Sequence, residues 1–263
     1  MRTNNKLFTL ITGASTGLGK ELAIECARRK MNLILVSLPG ENLPGLCTDI
    51  AAKYQVIACP YETDLTDKEE VVRLAEWVTV NFSVNVLINN AGAGGTRLLE
   101  TTPTEYIDRL IQLNIRATSL LVRLLIPELK MHRKAYILNV SSMAAFSPLP
   151  FKTVYPASKA FVYHFTRGLK AELKSTNIKV SVVNPGPIMT NPDVVARIQK
   201  QGALGRLALI SAPAIARISI AELIRGKAVI IPGYLNRINV FVMSLIPSGI
   251  KLAMSSRIIQ REL

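Results

Sequence analysis

Short apolar runs alternate with longer stretches whose apolar residues recur every three to four positions. Lys6–Thr12, Asn32–Ser37, Gln55–Cys59, Asn85–Ile88, Ala135–Val140, Ile178–Val183 and Ala228–Ile231 each read as a short buried strand. Between them lie helical stretches. These are Lys20–Lys30, Asn42–Lys53, a helix opening at Thr66-Asp67-Lys68-Glu69, Thr102–Lys130, Thr153–Thr176 and Pro213–Arg225. Regular strand–helix alternation predicts an α/β fold: one doubly wound domain over 1–263, with seven parallel strands, helices on both faces and right-handed crossovers. Trp77, on the third helix, is expected in the core. No repeat or linker marks a second domain. Residues 191–212 are irregular and form a candidate lid, and 232–263 form an apolar, basic extension.

Polar and glycine-rich loops follow strands one, three, four, five and six, and in a parallel sheet those loops share one edge. Gly13-Ala14-Ser15-Thr16-Gly17-Leu18-Gly19 lies between strand and helix. Glycines allow close backbone approach, and a helix start offers free N–H groups and a partial positive charge, so the stretch can cradle phosphate. Asn89-Asn90-Ala91-Gly92 ends the fourth strand, where a structural turn and a cofactor ledge are both open readings. Ser141-Ser142-Met143-Ala144-Ala145-Phe146 follows the fifth, and Asn184-Pro185-Gly186-Pro187-Ile188-Met189-Thr190 the sixth. Tyr155 and Lys159 stand four apart, on one helical face. A phenol normally ionises near pH ~10; a neighbouring ammonium would lower that value and make a usable acid–base group. Isolated, such a pair is more often a solvated surface. The convergence of loops raises the weight of this one.

Composition bounds the rest. The chain has 263 residues, 49% hydrophobic and 19% charged, enough to build a sizeable core and too apolar for disorder. Cys26, Cys47 and Cys59, with His132 and His164, show neither disulfide nor metal spacing, which points to a reducing compartment and no structural metal. No signal-peptide pattern opens the chain, and no unbroken apolar run reaches the ~18 residues of a membrane span. A cytoplasmic location is expected. Net charge is +14, with ten Lys/Arg against two Asp/Glu from Arg197 onward. That balance suits anionic partners or simple solubility, and no nucleic-acid motif accompanies it. Arg109, Arg116, Arg123 and Lys130 recur every seven residues along the long helix, as a solvated stripe or a docking face for an acidic partner.

From Leu7 to about Ile231 the sequence resembles the short-chain dehydrogenase/reductase (SDR) family. Thr12-Gly13-Ala14-Ser15-Thr16-Gly17-Leu18-Gly19 is similar to its T-G-x-x-x-G-x-G, and Asn89-Asn90-Ala91-Gly92 to its N-N-A-G. Asn114, Ser142, Tyr155 and Lys159 match its catalytic four, and Pro185-Gly186 with Thr190 its loop after strand six. The resemblance implies a Rossmann-like oxidoreductase acting on a carbonyl or alcohol with a dinucleotide as hydride carrier. Tyr155 would exchange the proton, Lys159 lower its pKa and bind the nicotinamide ribose, Ser142 orient the substrate, and Asn114 hold a relay water. Gly13, Ser15, Thr16, Gly17, Leu18 and Gly19 would line the pyrophosphate and ribose, Asp64 and Leu65 the adenine. Asn90, Ala91, Gly92, Pro185, Gly186, Ile188 and Thr190 would line the remainder of the cofactor.

Ser37 ends the second strand, where NAD-specific members carry an acid, and Leu38 follows where NADP-specific members often carry arginine. NADP(H) is expected, with NAD the alternative. Met143, Ala144, Phe146, Pro148, Ile188 and Met189 would line an apolar substrate pocket or else pack their own loop. A small-to-medium hydrophobic ketone or aldehyde is the expected substrate. A 3-oxoacyl-acyl-carrier reductase and a non-enzymatic dinucleotide-binding scaffold are the alternatives. Homodimers or homotetramers would assemble through the two long helices. The tail, including Tyr234–Ile246, is expected to cover the site or a subunit contact rather than to reach an anionic membrane surface.

Overall fold

The computed structural model describes residues 6–186, 209–247 and 249–252. Seven strands form one parallel sheet in the order β3-β2-β1-β4-β5-β6-β7. They are β1 Leu7–Thr12, β2 Asn32–Ser37, β3 Ala58–Glu62, β4 Ser83–Asn89, β5 Ala135–Val140, β6 Ile178–Val183 and β7 Val229–Ile230. The helices are α1 Gly17–Arg28, α2 Leu43–Tyr54, α3 Lys68–Asn81, α4 Thr104–Ile111, α5 Thr118–Lys130, α6 Val154–Glu172, α7 Ala212–Ile224 and α8 Tyr234–Leu245.

Period-two alternation divides the strand side chains between two cores. Phe8, Leu10, Ile34 and Val36 pack with Val71 and Leu74 of α3, Leu121 and Leu125 of α5, and Leu169 of α6. Ile11, Leu33 and Leu35 face the other way, onto Leu22 and Cys26 of α1, Ile50 of α2, and Ile215 and Ile220 of α7. Trp77 is partly buried and packs between Tyr61 and Phe82 against the first core, at its margin rather than inside it. The helical stretch Thr104–Lys130 is long and apolar enough to cross a membrane by length and composition. Here its apolar residues Leu121, Val122, Leu125 and Leu129 are buried in that same core.

Two elements depart from the sequence reading. The third strand starts three residues later than expected. Gln55 takes a left-handed conformation (φ 54°) that closes α2, and the Ile57 N–H is held by Asn32 Oδ1 at 3.0 Å before pairing begins. Pro60 is tolerated inside β3 because this strand is the edge of the sheet. The long helix is also interrupted by a π-helical turn, Gln112–Ala117. Its wider i→i+5 bonding shifts the helical phase, so the seven-residue cationic stripe does not survive as one face. Arg109 approaches Asp64 at 3.8 Å, Arg116 donates to the Thr66 carbonyl, and Arg123 and Lys130 remain exposed.

Buried polar groups tie the sheet to α6. Asn89 Nδ2 donates to Asn139 Oδ1 (2.8 Å), and Asn139 Nδ2 donates to Thr166 Oγ1 (2.9 Å). This ladder runs from β4 through β5 into the helix that bears Tyr155 and Lys159. Asn89 Oδ1 is buried without a partner of its own, so the ladder orients these strands and the helix through its donors alone.

Candidate active site

The strand order reverses beside β1, which pairs with both β2 and β4. A cleft of about 980 Å³ opens there, at the C-terminal ends of the strands. Its walls include Gly13 to Gly19 after β1, Ser37 and Leu38 after β2, Asp64 and Leu65 after β3, and Asn90 to Gly95 after β4. Ser141 to Ala144 after β5 and Pro185 and Gly186 after β6 complete them. Of the residues singled out in the sequence, Gly13, Ser15, Thr16, Gly17, Leu18, Gly19, Ser37, Asp64, Leu65, Asn90, Ala91, Gly92, Ser142, Met143, Ala144, Phe146, Tyr155, Lys159, Pro185 and Gly186 all line this cleft. Asn114 stands directly behind it. Ile188, Met189 and Thr190 lie outside the described residues, as do most of the 191–212 segment and the end of the tail.

The glycine turn fits a phosphate cradle on geometry. Gly13 has φ +63° and Gly17 φ +55°, a region that side-chain-bearing residues avoid. A Cβ on Gly19 would fall 1.9 Å from the Gly13 carbonyl oxygen. Helix α1 starts behind the turn with no side-chain cap, leaving its first N–H groups available to an anion. Asn90 fixes the turn to β4: its Nδ2 donates to the Thr12 and Gly13 carbonyls at 3.0 and 2.9 Å. The Asn90 and Ala91 N–H groups donate to Thr12 Oγ1. The Asn-Asn-Ala-Gly stretch is therefore a turn brace as well as a wall of the cleft. Gly19→Ala is expected to destabilise the chain by about 1–3 kcal/mol through overpacking against backbone, which is a several-degree fall in Tm. Dinucleotide affinity should fall with it; thermal unfolding and a fluorescence titration check both, and an unchanged pair of values would show that the turn yields freely.

Tyr155 stands at the first turn of α6. Its hydroxyl is hydrogen-bonded to the Ser142 side chain, and its ring lies against Gly94, where a Cβ would fall 2.5 Å from Cδ2. Ser142 also accepts the Ala144 N–H at 3.1 Å, which fixes its rotamer. Lys159 is buried one turn further on. Its Nζ donates to the Val140 carbonyl at 3.0 Å and lies 5.9 Å from the Tyr155 ring centroid. The Ser141 hydroxyl donates to the Lys159 carbonyl at 2.7 Å, tying α6 to the end of β5.

The expected lowering of the phenol by Lys159 is not what this geometry produces. Burial pushes Tyr155 above the usual tyrosine range, and the hydrogen bond with Ser142 pulls it part of the way back. Burial pushes Lys159 down, to about 8. Desolvation acts on both groups, and the ammonium points at Val140 rather than at the phenol oxygen.

Asn114 sits in the π-helical turn, and its side chain clamps two segments. Oδ1 accepts the Ala93 N–H, while Nδ2 donates to the Ala93 carbonyl and to Ser158 Oγ, each at 2.9 Å. A Cβ on Gly92 would meet Lys159 Nζ at 3.0 Å and Asn114 Oδ1 at 3.1 Å, so all three groups converge on that glycine. Among the substrate-wall candidates, Phe146 also packs edge-on against Tyr163 (5.0 Å, 75°), so it both packs its loop and borders the cleft.

Two groups in the cleft carried no signal as site residues in the sequence, and a third comes from the tail. Glu41 reaches back from the loop after β2 and accepts a hydrogen bond from the Ser15 hydroxyl. Arg109 pairs with Asp64 on the cleft wall. Asn239, Val240 and Met243 of α8 close the far wall. The three cysteines are free; burial raises Cys26 and Cys47 to about 12, which leaves them unreactive thiols. Among the described residues no group of three or more His, Cys, Asp and Glu is placed to hold a metal.

Residues 8–201 match the pattern of the short chain dehydrogenase family. A very-long-chain 3-oxoacyl-CoA reductase of the duck Anas platyrhynchos is 32% identical over 200 residues, 72% of this chain and 62% of that protein. The chain thus spans less than two thirds of that relative's length. Among solved structures, the bulky-bulky ketone specific alcohol dehydrogenase from Comamonas testosteroni is 27% identical, covers 93% of this chain and 96% of that one, and superposes with a TM-score of 0.76. A short-chain dehydrogenase from Sphingobium yanoikuyae in complex with NADPH is 26% identical over 92% and 96% of the two chains, with a TM-score of 0.77. With the family pattern covering residues 8–201 and the same seven-stranded architecture beneath it, this chain belongs to the short chain dehydrogenase family.

Proposed function

We propose that the chain is an NADP(H)-dependent oxidoreductase that reduces the carbonyl of a small-to-medium hydrophobic ketone or aldehyde, or oxidises the corresponding alcohol. One observation carries the reading: the Tyr155 hydroxyl is hydrogen-bonded to Ser142 in a cleft whose opposite wall is the glycine cradle. When bound, the nicotinamide dinucleotide supplies the hydride. Tyr155 donates the proton to the substrate oxygen, and Ser142 orients that oxygen. Lys159 would hold the nicotinamide ribose through its ammonium, and Asn114 keeps the Gly92–Ala93 segment against Lys159. A Cβ-free Gly94 lets the Tyr155 ring pack directly against backbone, which narrows its positions.

The cofactor assignment is supported by Ser37, which puts no carboxylate at the end of β2, by the +14 net charge, and by the NADPH bound in the Sphingobium relative. Glu41 works against it. Its carboxylate occupies the Ser15 hydroxyl at the phosphate end of the cleft. Glu41→Gln is expected to lower KM for NADPH about three- to tenfold, since one repelled charge is worth roughly 1 kcal/mol at partly solvated separations. KM for NADH should fall less. Equal changes for both cofactors would place Glu41 away from the distinguishing phosphate.

A second reading, reduction of a 3-oxoacyl thioester, is favoured by the name of the duck relative. The acidic-carrier form of it is weakened by the arginine stripe, because Arg109 faces Asp64 and Arg116 is held by Thr66. An NADPH-oxidation screen over ketones, aldehydes, steroids, acyl-CoA and acyl-carrier substrates tests all of these. Turnover of a small-to-medium hydrophobic ketone or aldehyde supports the proposal. Dinucleotide binding with no turnover across the panel would favour the scaffold instead, and a preference for NADH would overturn the cofactor assignment.

A further inference from the structure

Helix α8 presents two faces of different character. Asn236 is buried against Gly186 and donates to the Pro232 carbonyl, while Asn239, Val240 and Met243 line the cleft. The described helix of the tail thus borders the cleft. The opposite face carries Tyr234, Leu235, Ile238, Phe241, Val242 and Leu245, all exposed, with Tyr234 at 76% and Leu245 at 71%. The spacing i, i+1, i+4, i+7, i+8, i+11 puts them on one stripe of a helix. Ile250 and Leu252 beyond the helix are exposed as well. An apolar stripe turned to water on a helix that already has a packed face calls for an apolar environment.

We infer that α8 docks the protein on an anionic lipid surface, with the stripe lying in the interface and the cleft mouth held at the membrane. Charge selects this occupant. The only ionisable side chains on α8 are Tyr234 and the exposed Arg237, and from Pro232 to Leu252 the sequence carries Arg237 and Lys251 with no Asp or Glu. Cations beside an apolar helical face suit acidic headgroups. A second copy would bring the same cations to meet them. Area argues the same way. A stripe ~17 Å long and ~10–12 Å wide covers roughly 200 Å², against about 800 Å² per partner in a stable protein interface. A bilayer requires no such minimum, because side chains sink into it individually. Because the other face of the same helix lines the cleft, docking would let an apolar substrate pass from lipid to the cleft without crossing water.

The inference rests on α8 and not on the identity of the reaction, so its test reads binding rather than turnover. The full chain is incubated with phosphatidylcholine vesicles, with and without phosphatidylserine, and sedimented. The expected result is partition onto the phosphatidylserine vesicles, weaker on the neutral ones, and reduced by salt. Leu235→Asp with Val242→Asp should cut that partition about tenfold or more, with reduction of a water-soluble ketone unchanged. Leu245→Asp alone serves as a second variant, and circular dichroism and Tm confirm that each is folded. Wild-type protein that sediments with neither vesicle, or folded variants that sediment as wild type does, would overturn the inference. Light scattering that shows a wild-type dimer made monomeric by the substitutions, without vesicle binding, would assign the stripe to a second copy instead.

Discussion

Tyr155→Phe is expected to lose about 10²–10⁴-fold in kcat, the usual contribution of a positioned proton donor, while dinucleotide binding is retained. The substitution removes one oxygen and leaves the ring against Gly94, so the local packing is preserved. It also leaves Ser142 without its tyrosine partner but still bonded to the Ala144 N–H, so the Ser142 rotamer survives. The pH profile of the wild type separates this role from a merely structural one. Burial holds the Tyr155 phenol above its ordinary range, so it stays protonated through neutral pH. Carbonyl reduction needs the protonated form, and its rate should be flat across neutral pH and fall only at high pH. Alcohol oxidation needs the phenolate, and its rate should climb with pH over the same range. Near wild-type turnover in the phenylalanine variant would remove Tyr155 from the chemistry. An oxidation rate independent of pH would remove the phenol as the titrating base.

The layered α/β architecture was legible because each strand is an unbroken apolar run and each loop after it is visibly polar or glycine-rich. Five of those loops converge in the observed cleft for the reason given by the parallel sheet: all share one edge. What escaped was information that one-dimensional spacing does not carry. The displaced start of β3 depends on Asn32 capturing the Ile57 N–H from 25 residues away. The π-helical turn around Asn114 has no composition of its own, and it follows from the clamp that Asn114 makes with Ala93 and Ser158. Glu41 carries no signal in the sequence because it lies four residues beyond the end of β2 and meets Ser15 only through the path of the folded loop. The tail showed amphipathic character in the sequence, but which face met the cleft depended on Asn236 packing against Gly186. The relation of Tyr155 to Lys159 was read correctly as a shared helical face. Its electrostatics were not, because spacing says nothing of the burial that moves both groups.

Lys159→Met is expected to abolish most turnover and at the same time to stabilise the fold near neutral pH. Burial lowers the Lys159 pKa from its ordinary 10.5 to about 8, so the folded state holds its proton less tightly than the unfolded chain does. Below pH 8 the charge is buried at full cost, and above 10.5 the amine is neutral in both states. Stability of the wild type should therefore rise as pH passes from about 8 towards 10.5, because there the unfolded chain binds more protons. The cost relieved by removing the charge is at most about 3 kcal/mol. Methionine also deprives the Val140 carbonyl of its donor, a loss of roughly 1–3 kcal/mol. The balance at pH 7 is a gain of about 1 kcal/mol, or a few degrees in Tm for a chain of this size. At pH 10 the wild type no longer carries the buried charge, the orphaned carbonyl remains, and the variant should become the less stable of the two. Chemical denaturation at the two pH values reads this reversal. A variant less stable than the wild type at pH 7, or a difference that does not move with pH, would show that Lys159 is not held as a costly buried cation. The ammonium would then have no reserve of unfavourable energy to be relieved by an anionic ligand, and its place beside Gly92 would be a matter of packing alone.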